Sequence, residues 1–241
     1  MRSTSLASLD AYLALRTDLD RAEVRRVAIE TVAAARERAE TSLAARWYRS
    51  LAAGAPDMTI YDDPAYIGEL WACWVLYSSH YVYLLSRLEL DPSVVVDLGA
   101  GLGYSTAALV ELYPRAVVEA TDRGRSVRAL RRVGEQYGFD VSDRIGMDAD
   151  LVFASEYFEH FIDPIGHLDE ILERARPRYL VVANAFTGRA PGHFLFYVAG
   201  GEIVSGAEMS RRFLRRLRAA GYQQGPDRFW NERPRVFERV R

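Results

Sequence analysis

At 241 residues the chain is long enough for one large domain or for a core with an appendage. Its 49% hydrophobic content supplies a packed core, and a net charge of −2 gives no ground for nucleic acid or an anionic membrane as an obligatory partner. All 31 basic residues are arginine, and the single cysteine, Cys73, excludes an internal disulfide and any multi-cysteine metal site.

The first stretch, "MRSTSLASLDAYLALR", is interrupted by Asp10 and Arg16 and does not read as a signal segment. Residues 6–53 are rich in Ala, Leu, Arg and Glu with helical periodicity. Leu6, Leu9 and Leu13 form one apolar stripe; Val24, Val27, Ala28 and Thr31 form another. The acidic start of "DLDRAEVRR" marks a helix N-terminus, and "AAGAPDMTIYDDPAY" is a break. Residues 65–88 are predicted as an aromatic helix carrying Tyr66, Trp71, Trp74, Tyr77, His80, Tyr81 and Tyr83. Glu69, His80 and several hydroxyls make it a poor membrane span and a good buried or lid helix. The expectation is a soluble, cytoplasmic protein with no membrane partner.

From residue 92 short β-branched runs alternate with helices. "SVVVDLGAG", "RAVVEATD", "ADLVFAS" and "RYLVVANAF" read as strands, while "YSTAALVELY", "RSVRALRRVGEQYG", "PIGHLDEILERAR" and "SGAEMSRRFLRRLRAAG" read as helices. "TGRAPGHFLFYVAGGEIV" is expected to be a long loop and the C-terminal end a two-stranded hairpin. Alternating strands and helices with continuous apolar strands predict an α/β fold. The expected architecture is a mostly parallel, doubly wound seven-stranded sheet with a C-terminal antiparallel hairpin, plus an N-terminal helical cap. Residues 1–90 are assigned to the cap or lid and 91–241 to the Rossmann-like domain. Between Asp122 and Asp150 there is too little chain for a full strand and crossover helix, so one of them is expected to be cut down.

"VVVDLGAGLGYST" places Gly99, Gly101 and Gly103 between a strand and a helix, where unusual backbone angles and close ligand approach are needed. A dinucleotide fingerprint would put its third glycine at Tyr104. The turn is instead Asp-x-Gly-x-Gly-x-Gly, with Asp97 placed to meet a cationic amino group. Asp122, 19 residues after Gly103, ends the next strand and suits two ribose hydroxyls. On these residues the segment 93–241 resembles the class I S-adenosylmethionine (SAM)-dependent methyltransferases. The resemblance implies that SAM is the cofactor, bound by Asp97, Gly99, Gly101, Gly103, Tyr104 and Asp122, with Ser155 and Glu156 at its methionine end. In the family an acid after the third strand holds the adenine amino group, and Asp143 and Asp148 are the two acids available. A glycine turn without ligand and a nicotinamide enzyme are the readings set aside by this spacing.

"EYFEHFIDP" is similar to the Glu-x-x-Glu-His segment of ubiquinone-pathway and small-RNA O-methyltransferases, which implies Glu156, Glu159 and His160 as ligands of a divalent cation, Mg²⁺ or Mn²⁺. Positions i, i+3 and i+4 share one helical face if the turn is helical. The small-RNA group adds a second histidine, a place that His193 in "APGHFLFY" matches. Metal-free methyltransferases carry a similar Glu-His followed by Asp-Pro, so both readings stay open. There His160 or His193 is the general base that takes the acceptor proton, and Asp163–Pro164 opens the next helix as cap and first position.

In the cap, Tyr61, Tyr77 and His80 are the residues expected to close over a sulfonium, and the other aromatics to be core. The implied activity is methyl transfer to an oxygen or nitrogen of a small-molecule acceptor. Cyclisation of SAM, aminocarboxypropyl transfer and a non-catalytic binding module are the alternatives on the same fold. No nucleic-acid partner is expected, and the oligomeric state is left open, a homodimer being compatible.

Overall fold

The structure, a computed structural model, describes residues 13, 14, 16, 20–38, 42–124, 126–143, 148–225 and 233–240. In the N-terminal part, α1 (Arg21–Arg38) and α2 (Ala44–Ala52) precede a 3₁₀ turn at Met58–Asp62. A helical stretch follows as α3 (Pro64–Cys73), a π-helical turn (Trp74–Ser78) and α4 (Ser79–Leu85). Asp63 caps α3 by accepting from the Ala65 N–H, with Pro64 at its first position. Leu6 and Leu9 lie outside the described residues. Leu13 and Ala28 are buried as their stripes predict, while Val27 faces solvent.

The remaining elements are β1 (Val94–Leu98), α5 (Tyr104–Leu112), β2 (Val117–Thr121), α6 (Ser126–Tyr137), β3 (Asp140–Ser142) and β4 (Leu151–Ser155). They continue with α7 (Pro164–Arg174), β5 (Tyr179–Ala183), β6 (Phe196–Ala199), β7 (Glu202–Ser205), α8 (Gly206–Ala219), β8 (Tyr222–Gln224) and β9 (Arg235–Arg239). Seven strands form one sheet in the order β3-β2-β1-β4-β5-β9-β8. β3, β2, β1, β4 and β5 run parallel, and β9 pairs antiparallel with both β5 and β8. The shortened crossover is seen in the three residues of β3. The segment expected to be one long loop contains the hairpin β6–β7, turning at Gly200–Gly201 with both residues at positive φ. That Gly-Gly dipeptide between apolar runs is the usual signature of a primed two-residue turn.

The strands' side chains alternate between two cores, as a period of two requires. Val95, Phe153 and Val181 pack on one face with Tyr81, Leu85, Leu109 and Leu130. Val96, Val152 and Leu180 pack on the other with Trp47, Ile60, Leu168 and Phe213. Both layers include cap residues, so the cap crosses the sheet edge: α2 and the 3₁₀ turn belong to one core, α4 to the other. No helix among the described residues is long and apolar enough to cross a membrane.

Phe153 sits at the centre of one core with 1% of its surface exposed. Phe153→Ala is expected to lower unfolding free energy by about 3–5 kcal/mol in urea denaturation.

Candidate functional site

The parallel strands end level with one another. Leu98 is paired with Thr121 and with Ala154, and Ser155 with Ala183, so Gly99, Asp122 and Glu156 emerge together at one edge. This is the β1/β4 switch point, where open α/β sheets bind ligands. A cavity of about 750 Å³ opens there. Asp97, Gly99, Gly101, Tyr104, Asp122, Ser155, Glu156, His160 and His193 all reach its wall, and from the cap so do Tyr61 and Tyr77. His80 does not. It is half-buried and packs against Tyr81, ring centroids 6.4 Å apart. Asp143 lines the cavity, whereas Asp148 does not.

Gly99, Gly101 and Gly103 all have positive φ, at 69°, 57° and 89°. At two of them packing adds a second demand. A Cβ on Gly99 would come within 2.5 Å of the Tyr157 ring, and one on Gly103 within 2.8 Å of Leu130 on α6. The close approach that excludes a side chain at Gly99 is therefore made by Tyr157. Asp97 is almost fully buried and accepts hydrogen bonds from Ser105 Oγ and Thr106 Oγ1, both 2.7 Å. Burial nevertheless pushes its carboxyl up to about 7. Burial likewise pushes Asp122 up to about 6.

The segment after β4 is not a helix carrying its polar groups on one face. Glu156 has φ +50°, a left-handed conformation uncommon for a glutamate, and only Phe158–His160 make a single 3₁₀ turn. The helical face on which Glu156, Glu159 and His160 would converge is therefore not formed. The carboxylates of Glu156 and Glu159 and one ring nitrogen of His193 lie within 4.8 Å of one another. Glu159 is fully buried; its Oε1 accepts from the Ala185 N–H at 2.8 Å, while its Oε2 has no hydrogen-bond partner. Burial pushes Glu156 up to about 7, and burial together with the neighbouring Glu156 carboxylate holds Glu159 well above the usual range.

The two histidines differ in what their nitrogens meet. His160 Nδ1 bonds the Tyr61 hydroxyl at 3.0 Å, and burial, with His193 beside it, holds its pKa well below the usual histidine value. His193 Nδ1 lies 3.2 Å from the Gly188 carbonyl. A carbonyl only accepts, so Nδ1 carries the hydrogen and Nε2 keeps its lone pair. Burial holds His193 neutral, with its pKa down to about 4.

Arg233, Trp74 and Ser78, not anticipated in the sequence as site residues, join Tyr77 on the wall, with Tyr81 behind them. Arg233, from the loop before β9, approaches Glu156 Oε1 at 3.6 Å, and the Tyr81 hydroxyl approaches the same oxygen at 3.5 Å. Trp74, Tyr77 and Ser78 reach the cavity from the π-helical turn, and Ser78 Oγ bonds Ser155 Oγ at 2.9 Å. Such turns recur at functional sites because one extra residue re-aims the side chains. Opposite them, the Tyr157 hydroxyl bonds His167 Nε2 at 2.8 Å, and His167 stacks on Phe161.

No protein-family model matches the chain. It is 36% identical over 100 residues to trans-aconitate 2-methyltransferase of Azoarcus sp. (strain BH72), a match that covers 39% of this chain and about 40% of that relative's length. Among solved structures, mitomycin 7-O-methyltransferase MmcR superposes with TM-score 0.56 at 14% identity, covering 95% of this chain and 72% of that one. The SAM-dependent methyltransferase SibL gives TM-score 0.55 at 15% identity, covering 91% and 76%. The fold is that of the class I SAM-dependent methyltransferases. Within this methyltransferase fold the carboxylate-lined cavity occupies the switch-point edge of the sheet.

The buried carboxylates make stability depend on pH. Asp97 is raised from its unfolded value to about 7, so the stability it confers is fully present below the unfolded pKa and is lost as pH rises through about 7. The histidines, held neutral by burial, contribute with the opposite sign, adding stability as the unfolded chain's imidazoles lose their protons around pH 6.5, an effect that fades about one pH unit above it. Between pH 6.5 and 8 the protein is expected to lose about 1 kcal/mol from Asp97 alone. Asp97→Asn should flatten the corresponding fall in Tm, measured by thermal melts across that range.

Proposed function

We propose that this chain transfers the methyl group of SAM to an oxygen or nitrogen of a small-molecule acceptor. The observation that carries the reading is the gathering of Asp97, the glycine turn, Asp122, Glu156 and His193 on one cavity at the switch point. The name of the 36%-identical relative, a trans-aconitate methyltransferase, supports the same class of reaction. SAM supplies a sulfonium methyl group that an aligned nucleophile displaces in line. The residues fit that ligand. Asp97 would meet the ammonium, Asp122 would accept from the ribose hydroxyls, and Ser155 and Glu156 would border the methionine end. Trp74, Tyr77 and Tyr104 give the aromatic surface against which a cation is favoured. Orientation does most of the work in such a displacement, and the remaining need is removal of the acceptor's proton. His193, neutral and with Nε2 unprotonated, is the group placed for it.

We further propose that Glu156, Glu159 and His193 hold a divalent cation. The buried, unpaired Oε2 of Glu159 favours this, because such an oxygen is costly to leave without a partner. A cation there would occupy the His193 Nε2 lone pair and instead ease loss of the acceptor proton by lowering the pKa of an acceptor hydroxyl, so His193 is the base only where no cation is bound. Two carboxylates with an imidazole suit Mn²⁺ and its transition-metal neighbours better than Mg²⁺.

Mass spectrometry of the products from SAM, with and without a panel of hydroxyl and amine acceptors, tests the activity. S-adenosylhomocysteine formed only with acceptor is the expected result, while methylthioadenosine formed from SAM alone would replace methyl transfer by cyclisation. Asp122→Asn is expected to weaken SAM binding roughly tenfold to a hundredfold by calorimetry, the loss of charge-assisted hydrogen bonds to the ribose. Chelation should abolish turnover, with Mn²⁺ restoring it. Full activity in chelator would remove the cation and leave proton removal to His193.

A further inference from the structure

The loop from residue 184 to 195 carries His193, and part of what holds it comes from the cap, nearly 150 residues earlier in the chain. The Trp47 indole N–H, on fully buried α2 packing, donates to the His193 carbonyl at 2.6 Å. The same ring packs edge-on against Phe194 at 5.4 Å. One residue on, the Tyr48 hydroxyl donates to the Ala190 carbonyl at 3.1 Å, which is also the acceptor for the His193 N–H, likewise at 3.1 Å. His193 is thus fixed at three points: its carbonyl by Trp47, its N–H by Ala190 and its ring Nδ1 by Gly188. The first comes from the cap and the second shares its acceptor with it.

We propose that Trp47 is a positioning residue: through the His193 carbonyl it sets the peptide geometry that keeps Nδ1 bonded to Gly188 and the ring beside Glu156 and Glu159. The proposal deepens the reading of His193 given above and rests on it. The cap is on this account part of the acceptor site's frame as well as its cover. Of the aromatic residues in the cap, Trp47 acts without touching the cavity itself.

Trp47→Phe keeps the ring packing and removes the donor. The protein has four histidines, so long-range ¹H–¹⁵N correlation of ¹⁵N-histidine-labelled protein at pH 7.5 resolves each ring, with His193 assigned by the signals lost in His193→Gln. The wild type is expected to show His193 as the Nδ1–H tautomer. In Trp47→Phe its signals are expected to shift toward mixed tautomers while those of His80 and His167 stay in place. S-adenosylhomocysteine affinity should remain within about twofold and kcat should fall roughly tenfold, about 1.4 kcal/mol. Unchanged His193 signals in folded Trp47→Phe would overturn the proposal, whatever the activity. The tautomer readout needs no turnover, so a protein with no methyl transfer refutes the reading of function separately. If Trp47→Phe does not fold, Tyr48→Phe replaces it: a smaller shift of the same His193 signals supports the proposal, and none overturns it.

Discussion

Four carboxylates, Asp97, Asp122, Glu156 and Glu159, are gathered at one end of a buried sheet, and burial raises the pKa of each. Arg233 is the cation paired with Glu156, and at 3.6 Å it is a loose partner. Desolvating carboxylates without full compensation costs several kcal/mol per ion even after relaxation. The arrangement follows from the sheet: β1, β2 and β4 end in register, so the residue types at their ends are brought together whatever their separation in sequence. What is costly in the cavity wall is what the proposed cofactor would relieve. A ligand bringing a sulfonium, an ammonium and hydroxyl donors offsets the penalty where it is largest, which is preorganisation in the electrostatic sense.

The cap makes that field effective. By contributing Trp47 and Ile60 to one core and Tyr81 and Leu85 to the other, it is tied to both faces of the sheet and lies across the edge where the carboxylates emerge. Arg46 stiffens the crossing segment by bonding Asp57, Thr59 and Asp63 at 2.7–2.9 Å. Tyr61, at its centre, rests against Gly124 on one side and Gly192 on the other while bonding His160.

Most strands were legible because apolar periodicity is a local signal, and so were the place of Asp122 at the end of β2 and the Asp163–Pro164 helix start, where Asp163 accepts from the Gly166 N–H. The failures share a cause. In "EYFEHFIDP" the i, i+3, i+4 spacing would share a face only in a helix, and Glu156 at φ +50° rotates the following residues out of that register. The π-helical turn that turns Trp74, Tyr77 and Ser78 inward, and leaves His80 off the cavity wall, has no sequence mark separating it from α-helix. Arg233 and Trp47 reach the site from distant segments, and no local pattern reports such contacts. The β6–β7 hairpin carries a local signal in Gly200–Gly201, between the apolar runs that form its strands.

The strained backbone at Glu156 and the glycine turn depend on each other. A left-handed glutamate costs about 1–3 kcal/mol and persists only where its surroundings over-determine it. Here the Glu156 N–H is held by the Ala183 carbonyl at 2.8 Å, and the next residue, Tyr157, is anchored through its hydroxyl to His167. The Tyr157 ring then lies where a Cβ on Gly99 would be. Gly99 is thus needed for its own positive φ and also because the chain after β4 must pack flush against the turn after β1 if Glu156 is to face the cavity. The glycine motif and the glutamate segment, 57 residues apart between Gly99 and Glu156, are two halves of one interlocked contact. The position of the carboxylate that borders the proposed methionine end therefore depends on the absence of a side chain on the opposite strand.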